Sequence, residues 1–195
     1  MPSALPVILA STSRYRRALL ERLLPAFEIH RPEVDEAPLA GEGPARRALR
    51  LAEAKAQAVA RRYPEALVIG SDQVASAAGA VLHKPGTAEG ARAQLQGLSG
   101  RSAEFFTACA LVHAGAGRRS MHLDTTRVAF RTLEAQEIAR YVERDQPLDC
   151  AGSFKSESLG ISLLQRIESE DPTALIGLPL VWLAGALRSF GCPVP

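Results

Sequence analysis

Cysteine and net charge are both scarce in this chain of 195 residues. Cys109, Cys150 and Cys192 are odd in number and widely spaced, which indicates neither a disulfide framework nor a CxxC metal site. They are expected to act as small apolar filler. The 23 Lys and Arg residues nearly balance the 21 Asp and Glu residues, and no run of five basic residues occurs. We therefore expect no nucleic-acid partner, and any basic site must be local.

Long apolar runs are also missing. The N-terminal apolar stretch is too short for a signal peptide or a membrane span and lacks a basic leader, so we expect a cytoplasmic protein without a membrane partner. A composition that is 47% hydrophobic and 23% charged excludes a disordered chain. The length is close to that of one large domain, so residues 1–195 are predicted to form a single domain.

Two common kinds of site lack their sequence signatures. The four histidines, which are His30, His83, His113 and His122, show no metal-binding spacing and are interpreted as structural or exposed. No glycine-rich P-loop or dinucleotide fingerprint follows the first predicted strand. A nucleotide site in this chain must therefore be built from other residues.

Apolar patterning predicts strands that alternate with helices. Strands are predicted at residues 7–10, 27–31, 66–70, 104–112 and 118–130. Helices are predicted after Ser13, then at residues 45–62, 88–98, 133–144 and 178–190. The last two strands are expected to form a hairpin. This order favours an α/β fold with a mixed sheet and helices on both sides over a purely parallel sheet.

The turn after the first strand is rich in hydroxyl and guanidinium groups. Ser11, Arg14 and Arg16 lie in the segment STSRYRR at residues 11–17, where a helix is predicted to begin. Hydroxyls and arginines are suitable donors to phosphate oxygens. The alternative, that Ser13 only caps the helix and the arginines are solvated, stays open at this point.

Acidic and basic residues elsewhere add candidates for catalysis. Asp72 is predicted at a strand end, where it could act as a general base or a metal ligand, although an aspartate there is also a common turn residue. Glu36 lies in an acidic loop that could simply be solvated. Lys55 and Lys84 would add positive charge, but isolated lysines are usually surface residues.

The combination of these segments resembles the Maf family. The matching segments, in order, are ASTSRYRR at 10–17, PEVDE at 32–36, GSDQV at 70–74, Lys84-Pro85, AGSFKSE at 151–157 and IGLP at 176–179. The resemblance covers nearly the whole chain. It implies a nucleoside triphosphate pyrophosphatase that needs a divalent cation such as Mg²⁺, Mn²⁺ or Co²⁺. It also implies an elongated α/β fold of inosine triphosphatase-like type with two lobes around a cleft, and often a homodimer.

The resemblance assigns roles to individual residues. Asp72 matches the catalytic aspartate and, with Glu36, a metal-binding position. The matching substrate-binding positions are Ser11, Arg16, Lys55 and Lys84. Arg14 departs from the proline often found there, which leaves the start of the helix less defined.

Three further positions resemble the branch of the family that acts on 7-methyl-GTP. They are Tyr15, Gln73 and Glu157. Methylation at N7 gives guanine a positive charge, which favours an aromatic face and a carboxylate. Two alternatives remain open: a pyrophosphatase for dTTP and UTP or a broad set of modified nucleotides, and a non-enzymatic nucleotide-binding regulator of cell division.

Overall fold

The computed structural model describes residues 5–195 of the chain. The first four residues, which belong to the N-terminal stretch interpreted above, lie outside the described residues. No α-helix within residues 5–195 combines the length and the apolar composition that crossing a membrane requires.

The described chain divides into two compact units. Unit 1 contains residues 5–73, 107–124 and 171–195, and unit 2 contains residues 74–106 and 125–170. Whether the two behave as the single predicted domain stays a prediction, as does the cleft between two lobes.

One mixed sheet has the seven strands β1 to β7, in the order β2-β1-β3-β5-β6-β7, with β4 paired to β3. Their bounds are Val7–Ala10, Glu28–Ile29, Leu67–Ala77, Ala80–Leu82, Ser102–His113, Arg118–Phe130 and Leu164–Glu168. Strand β1 pairs in parallel with β2 and β3, whereas β4 and β7 pair antiparallel to β3 and β6. The prediction of a mixed α/β fold is therefore confirmed.

Within residues 5–195, five α-helices, α1 to α5, accompany the sheet. Their bounds are Arg14–Leu20, Pro44–Ala60, Ala88–Leu98, Ala135–Asp145 and Leu180–Ser189. All five were predicted; α3 has the predicted ends, and the ends of α2, α4 and α5 differ from the predicted ones by one or two residues. Helix α1 begins directly after Ser13, as predicted, and ends at Leu20, before the buried Leu24.

Strand β3 is longer than its sequence predicts. It continues through the polar residues Ser71, Asp72 and Gln73 to Ala77, so the prediction that Asp72 lies at a strand end is wrong. The pairing of β3 with β1 does stop at Gly70, opposite Ala10. Asp72 therefore lies just beyond the end of β1, within a strand that goes on to pair with β4.

A two-residue turn closes the hairpin of β3 and β4. Ala78 and Gly79 both have positive φ, at 49° and 81°, and Ala77 pairs with Ala80 on either side of them. Two consecutive positive φ angles are typical of the type I′ turn. Gly79 adopts this conformation at little cost, since it has no Cβ.

The main core of unit 1 lies around β1, β3 and α5. Leu9, Leu67 and Leu183 are fully buried in it, and Cys109 of β5 belongs to the same cluster. Complete burial of a leucine side chain contributes about 1.5–3 kcal/mol. Burial also raises the pKa of the Cys109 thiol to about 12, so this cysteine is an apolar core residue, as predicted.

Candidate active site

The turn between β1 and α1 is stabilised by its own hydroxyl groups. Ser13 is the N-cap of α1, and its side chain accepts a hydrogen bond from the backbone N–H of Arg16. Ser11 is buried, and its Oγ accepts from the backbone N–H of Ser13 at 3.1 Å. The capping role of Ser13 is therefore present, and Ser11 remains beside the guanidinium of Arg16, 3.5 Å from its Nη1.

Arg16 is half-buried and held from its other side by a backbone carbonyl. Its Nε donates to the carbonyl oxygen of Gly177 at 3.0 Å. Burial lowers the pKa of the guanidinium, while the nearby carboxylates of Asp72 and Glu36 raise it. Because arginine starts from a value above 12, the side chain stays charged at neutral pH. The structure thus presents a fixed cation close to two carboxylates.

Lys55 links those two carboxylates. Its Nζ lies 2.7 Å from Oδ1 of Asp72 and 2.8 Å from Oε1 of Glu36. Lys55 and Asp72 are buried, so their charges are compensated by each other and by hydrogen bonding. The interpretation of Lys55 as an ordinary surface lysine is therefore wrong.

Gly70 explains why helix α2 can bring Lys55 so close to β3. A Cβ atom at residue 70 would lie 2.3 Å from the carbonyl oxygen of Ala52, which belongs to α2. Gly70 and Asp72 lie on one face of β3, and Ala52 and Lys55 lie one helical turn apart. The absent side chain at residue 70 thus allows the buried ion pair to form.

The acidic loop that carries Glu36 is held by arginines of α2. Arg47 donates to the carbonyl oxygen of Glu36 at 3.0 Å, and Arg50 donates to that of Ala37 at 3.1 Å. Arg50 also forms a two-point ion pair with Glu42, with bonds of 2.5 and 2.7 Å. The hydrogen bonds from Arg50 lower the pKa of Glu42 from 4.5 to about 2. The loop is therefore anchored rather than simply solvated.

The opposite face of β3 is bound to the segment that precedes α5. Ser71 Oγ lies 2.8 Å from the carbonyl oxygen of Gly177, which also accepts from Arg16. Gln73 Nε2 lies 2.9 Å from Thr107 Oγ1 and within 3.1 Å of the carbonyl oxygens of Ala174 and Leu175. The amide NH₂ of Gln73 is thus engaged within unit 1.

Asp171 supports this segment, and the sequence interpretation missed it. Its carboxylate is 3% exposed and accepts from the backbone N–H and the hydroxyl of Thr173, at 2.9 and 2.6 Å. It also accepts from the backbone N–H of Val181 in the first turn of α5 at 2.7 Å. The DPT sequence at 171–173, followed by a helix, is the signal that would have predicted a side-chain-stabilised turn.

The specificity candidates lie on both units. Tyr15 is a half-buried residue of α1, and the Arg14 guanidinium lies over its ring at 4.7 Å from the centroid. The Tyr15 ring therefore already has a cationic neighbour in this structure. Lys84 and Glu157 are exposed residues of unit 2, and their proposed roles stay predictions.

Two groups of predicted site residues come together in unit 1. Ser11 is next to Arg16, and Lys55 bonds both Glu36 and Asp72. Among residues 5–195, no cluster of three or more His, Cys, Asp or Glu side chains is arranged to hold a metal ion. A metal at Glu36 and Asp72 would need oxygen ligands in addition to these two carboxylates.

Comparison with known proteins decides the family. The family model described as "Maf-like protein" matches residues 6–190. The chain belongs to the Maf family. The resemblance inferred from the motifs is therefore confirmed over nearly the whole chain.

Several curated Maf relatives are more than half identical to the chain. A protein named 7-methyl-GTP pyrophosphatase from Aromatoleum aromaticum is 53% identical over 97% of both chains. Proteins of the same name match from Xanthomonas oryzae pv. oryzae, at 55% identity over 97% of this chain and 98% of the relative, and from Burkholderia thailandensis, at 54% over 98% and 91%. The similarity to these Maf proteins thus extends over nearly the full length of each chain.

Proposed function

We propose that this chain is a nucleoside triphosphate pyrophosphatase that converts 7-methyl-GTP to 7-methyl-GMP and pyrophosphate. The observation that carries the proposal is the Lys55 ammonium bonded to the carboxylates of Glu36 and Asp72, with the Arg16 guanidinium close to both. Such a cluster combines a base with fixed cations for phosphate oxygens. The relatives named above, which are more than half identical, carry the name of this activity.

Asp72 is the residue that we assign to the attacking water. The water oxygen bonds to the α phosphorus while the bond from that phosphorus to the α–β bridging oxygen breaks. One water proton passes to the Asp72 carboxylate, and the bond's electron pair leaves with pyrophosphate. The ion pair with Lys55 holds the carboxylate in one orientation, which an in-line attack requires.

Positive groups and hydroxyls are assigned to the phosphate oxygens. Arg16 and Ser11 form one such pair in unit 1, and Lys55 supplies an ammonium beside the base. Lys84 of unit 2 is assigned the same role on the strength of the family motif. Guanidinium groups suit phosphate because they donate two parallel hydrogen bonds.

The donors at Glu36 and Asp72 fit a hard divalent cation such as Mg²⁺. Both are carboxylates, and both already point at one cation, the Lys55 ammonium. Mg²⁺ usually takes one or two carboxylates and completes its shell with waters and substrate phosphates, which agrees with the small number of acidic side chains at this site. When bound, the cation would neutralise charge on the phosphates.

Recognition of the methylated base is assigned to Tyr15, Gln73 and Glu157. The assignment of Tyr15 is supported by the Arg14 guanidinium, which lies 4.7 Å from the centroid of the ring, since N7-methylguanine is also cationic. An exposed carboxylate at Glu157 would favour the same charge. A cytoplasmic location and a homodimer stay predictions from the sequence.

A panel of nucleotides tests the proposal. Purified protein with Mg²⁺ is incubated with 7-methyl-GTP, GTP, dTTP or UTP, and pyrophosphate release is measured. We expect the highest kcat/KM for 7-methyl-GTP and the monophosphate as the second product. A preference for dTTP and UTP would replace the substrate assignment. Tight nucleotide binding without any pyrophosphate would favour the non-enzymatic regulator instead.

A further inference from the structure

The segment that carries Glu157 is built on a rigid base in unit 2. Gly152 has φ 76°, and a Cβ there would lie 2.9 Å from the Phe105 ring. Ser153 is fully buried, and its Oγ lies 2.6 Å from Gln94 Oε1. Phe154 is also buried, with its ring edge-on to Phe105 at 5.4 Å. The chain thus enters residues 155–160, which we call the Glu157 loop, from a fixed point.

Lys155 fastens the first part of the Glu157 loop to the end of helix α4. Its Nζ donates to the carbonyl oxygens of Asp145 and Gln146, the latter at 3.2 Å. Its backbone N–H donates to Oη of Tyr141 at 3.1 Å. A cation at the carboxyl end of a helix is favourable because the last carbonyl groups lack helical partners and carry partial negative charge. The ammonium of Lys155 is therefore used inside unit 2.

The far side of the Glu157 loop is fixed to the same helix. Ser158 Oγ lies 2.5 Å from Oδ1 of Asp145, the residue whose carbonyl binds Lys155. Gly160 then packs against Lys155, since a Cβ at residue 160 would lie 2.5 Å from the Lys155 carbonyl oxygen. Both ends of the loop are held, and Ser156 and Glu157 form its tip.

The two charged residues of the Glu157 loop, Lys155 and Glu157, have different partners. Within residues 5–195, no Lys or Arg side chain forms an ion pair with Glu157, whose carboxylate lies 3.5 Å from the hydroxyl of Ser156. Among the described residues, the exposed carboxylate of Glu157 is thus not neutralised by a basic side chain, while the Lys155 ammonium binds backbone carbonyl groups. A flexible loop would lose part of any such interaction to conformational entropy.

We infer that Lys155 is a positioning residue for base selection, which holds the Glu157 carboxylate where it meets the cationic ring of 7-methylguanine. The inference rests on the proposed function. It explains why a lysine and a glutamate two residues apart occur together in the GSFKSE segment without pairing with each other. Lys155 itself touches neither substrate nor the reacting atoms.

The test compares Lys155→Met, which keeps length but removes the ammonium, with Lys155→Arg, which restores a cationic donor. We expect Lys155→Met to reduce the ratio of kcat/KM for 7-methyl-GTP to kcat/KM for GTP by at least about threefold. The KM for 7-methyl-GTP should rise, and the kcat for GTP should stay unchanged. Lys155→Arg should recover part of the ratio. Deuterium uptake at residues 155–160 should rise in Lys155→Met alone.

A double variant separates positioning from general damage. Because Lys155 is inferred to act through Glu157, adding Lys155→Met to Glu157→Gln should change the ratio no further than Glu157→Gln does. A further additive fall would overturn the inference. So would a Glu157→Gln effect on the ratio without any effect of Lys155→Met.

Failure of the proposed function would look different. In that case the wild-type protein would show no preference for 7-methyl-GTP, whatever residue 155 is. If Lys155→Met does not fold, Ser158→Ala can be used instead, because it removes a single hydrogen bond between the loop and Asp145. This variant is also expected to reduce the ratio of kcat/KM for 7-methyl-GTP to that for GTP. An unchanged ratio in a folded Ser158→Ala protein whose deuterium uptake at residues 155–160 has risen would overturn the inference, because the loop would then be loosened without any effect on base selection.

Discussion

Asp72 illustrates how one residue's role depends on its ionic neighbours. It is buried and bonded to Lys55, which also binds Glu36. Removing the charge at residue 72 would leave Lys55 with a second carboxylate, so no unpaired buried cation results. The residue can therefore be tested without expecting the fold to collapse.

Asp72→Asn should lower kcat by about 100-fold to 10,000-fold, because it removes the proposed base and keeps the side-chain size. The thermal unfolding curve should stay close to that of the wild type. Asp35→Asn, in the exposed acidic loop, is the control and should keep most of the activity. If Asp72→Asn retained more than about half of wild-type activity, Asp72 would not be the base.

Arg16→Ala should weaken turnover of every triphosphate and leave the ratio of 7-methyl-GTP to GTP unchanged. The reason is that Arg16 lies with Ser11 and the carboxylates, and phosphates are common to all these substrates. Arg17→Ala is a matched control on the same helix, where the exposed Arg17 pairs with Glu21. A shift of the ratio larger than the common loss would place Arg16 at the base instead.

At the scale of elements, the contact between α2 and β3 depends on residue 70. Gly70→Ala would place a Cβ 2.6 Å from the backbone nitrogen of Ala56, as well as against Ala52, so α2 must move away from β3. We expect a loss of about 1–3 kcal/mol in the free energy of unfolding, together with reduced activity as Lys55 moves from Asp72.

Gly97→Ala is the control for that experiment. Gly97 lies inside α3, and a Cβ added there would meet no atom within 4 Å, so alanine should stabilise the protein by about 0.5–1 kcal/mol. Urea unfolding and pyrophosphate release are measured for both variants. Equal stability of the two would show that the close approach of α2 to Gly70 is not required.

The free energy of unfolding should depend on pH through Glu42 of the acidic loop. Its pKa falls from 4.5 to about 2 because of the hydrogen bonds from Arg50. A carboxylate with a lowered folded-state pKa stabilises the fold above its unfolded value and loses that contribution as the pH falls through the folded value. The contribution is thus complete above about pH 4.5 and disappears towards about pH 2.

Near neutral pH, Glu42→Gln should therefore be less stable than the wild type. Between pH 4.5 and 2, its free energy of unfolding should fall by less than that of the wild type. Urea midpoints across that range provide the measurement. Glu33→Gln, at an exposed glutamate of the same loop, is the matched control. Parallel pH curves for Glu42→Gln and the wild type would contradict the role of the Arg50 pair.

At the scale of the whole molecule, periodicity predicted the elements with distinct apolar faces. Helix α3 begins and ends where predicted, since Thr87 caps it and Ala91, Leu95 and Leu98 form its buried face. Strand β7 was missed because exposed residues dominate it and no alternating apolar signal exists. The length of β3 was underestimated because its polar residues bond across to distant segments.

The candidate site was predictable only as a set of residue types. The motifs supplied Lys55, Asp72 and Glu36, but their spacing does not reveal that one ammonium bonds both carboxylates. That arrangement depends on the tertiary contact of α2 with Gly70. The buried supporting role of Asp171 was not predicted, because the DPT segment indicates a turn but not whether its aspartate is buried.

The same ionic arrangement predicts how metal affects the stability of the whole protein. In the free protein, the Lys55 ammonium already compensates the two carboxylates on which a cation would bind. A cation alone must displace that ammonium, whereas a cation with a triphosphate brings phosphate oxygens that accept the displaced ammonium. Mg²⁺ should therefore raise the melting temperature very little without nucleotide.

Mg²⁺ with the uncleavable α,β-methylene analogue of 7-methyl-GTP should stabilise strongly. At a concentration about 100-fold above its Kd, a ligand adds about 2.7 kcal/mol, or roughly 5–11 °C for a protein of this size. Chelation with EDTA should abolish pyrophosphate release and leave the unliganded melting temperature unchanged. An increase of several degrees with Mg²⁺ alone would mean that the protein holds a preformed metal site, contrary to the compensating role of Lys55.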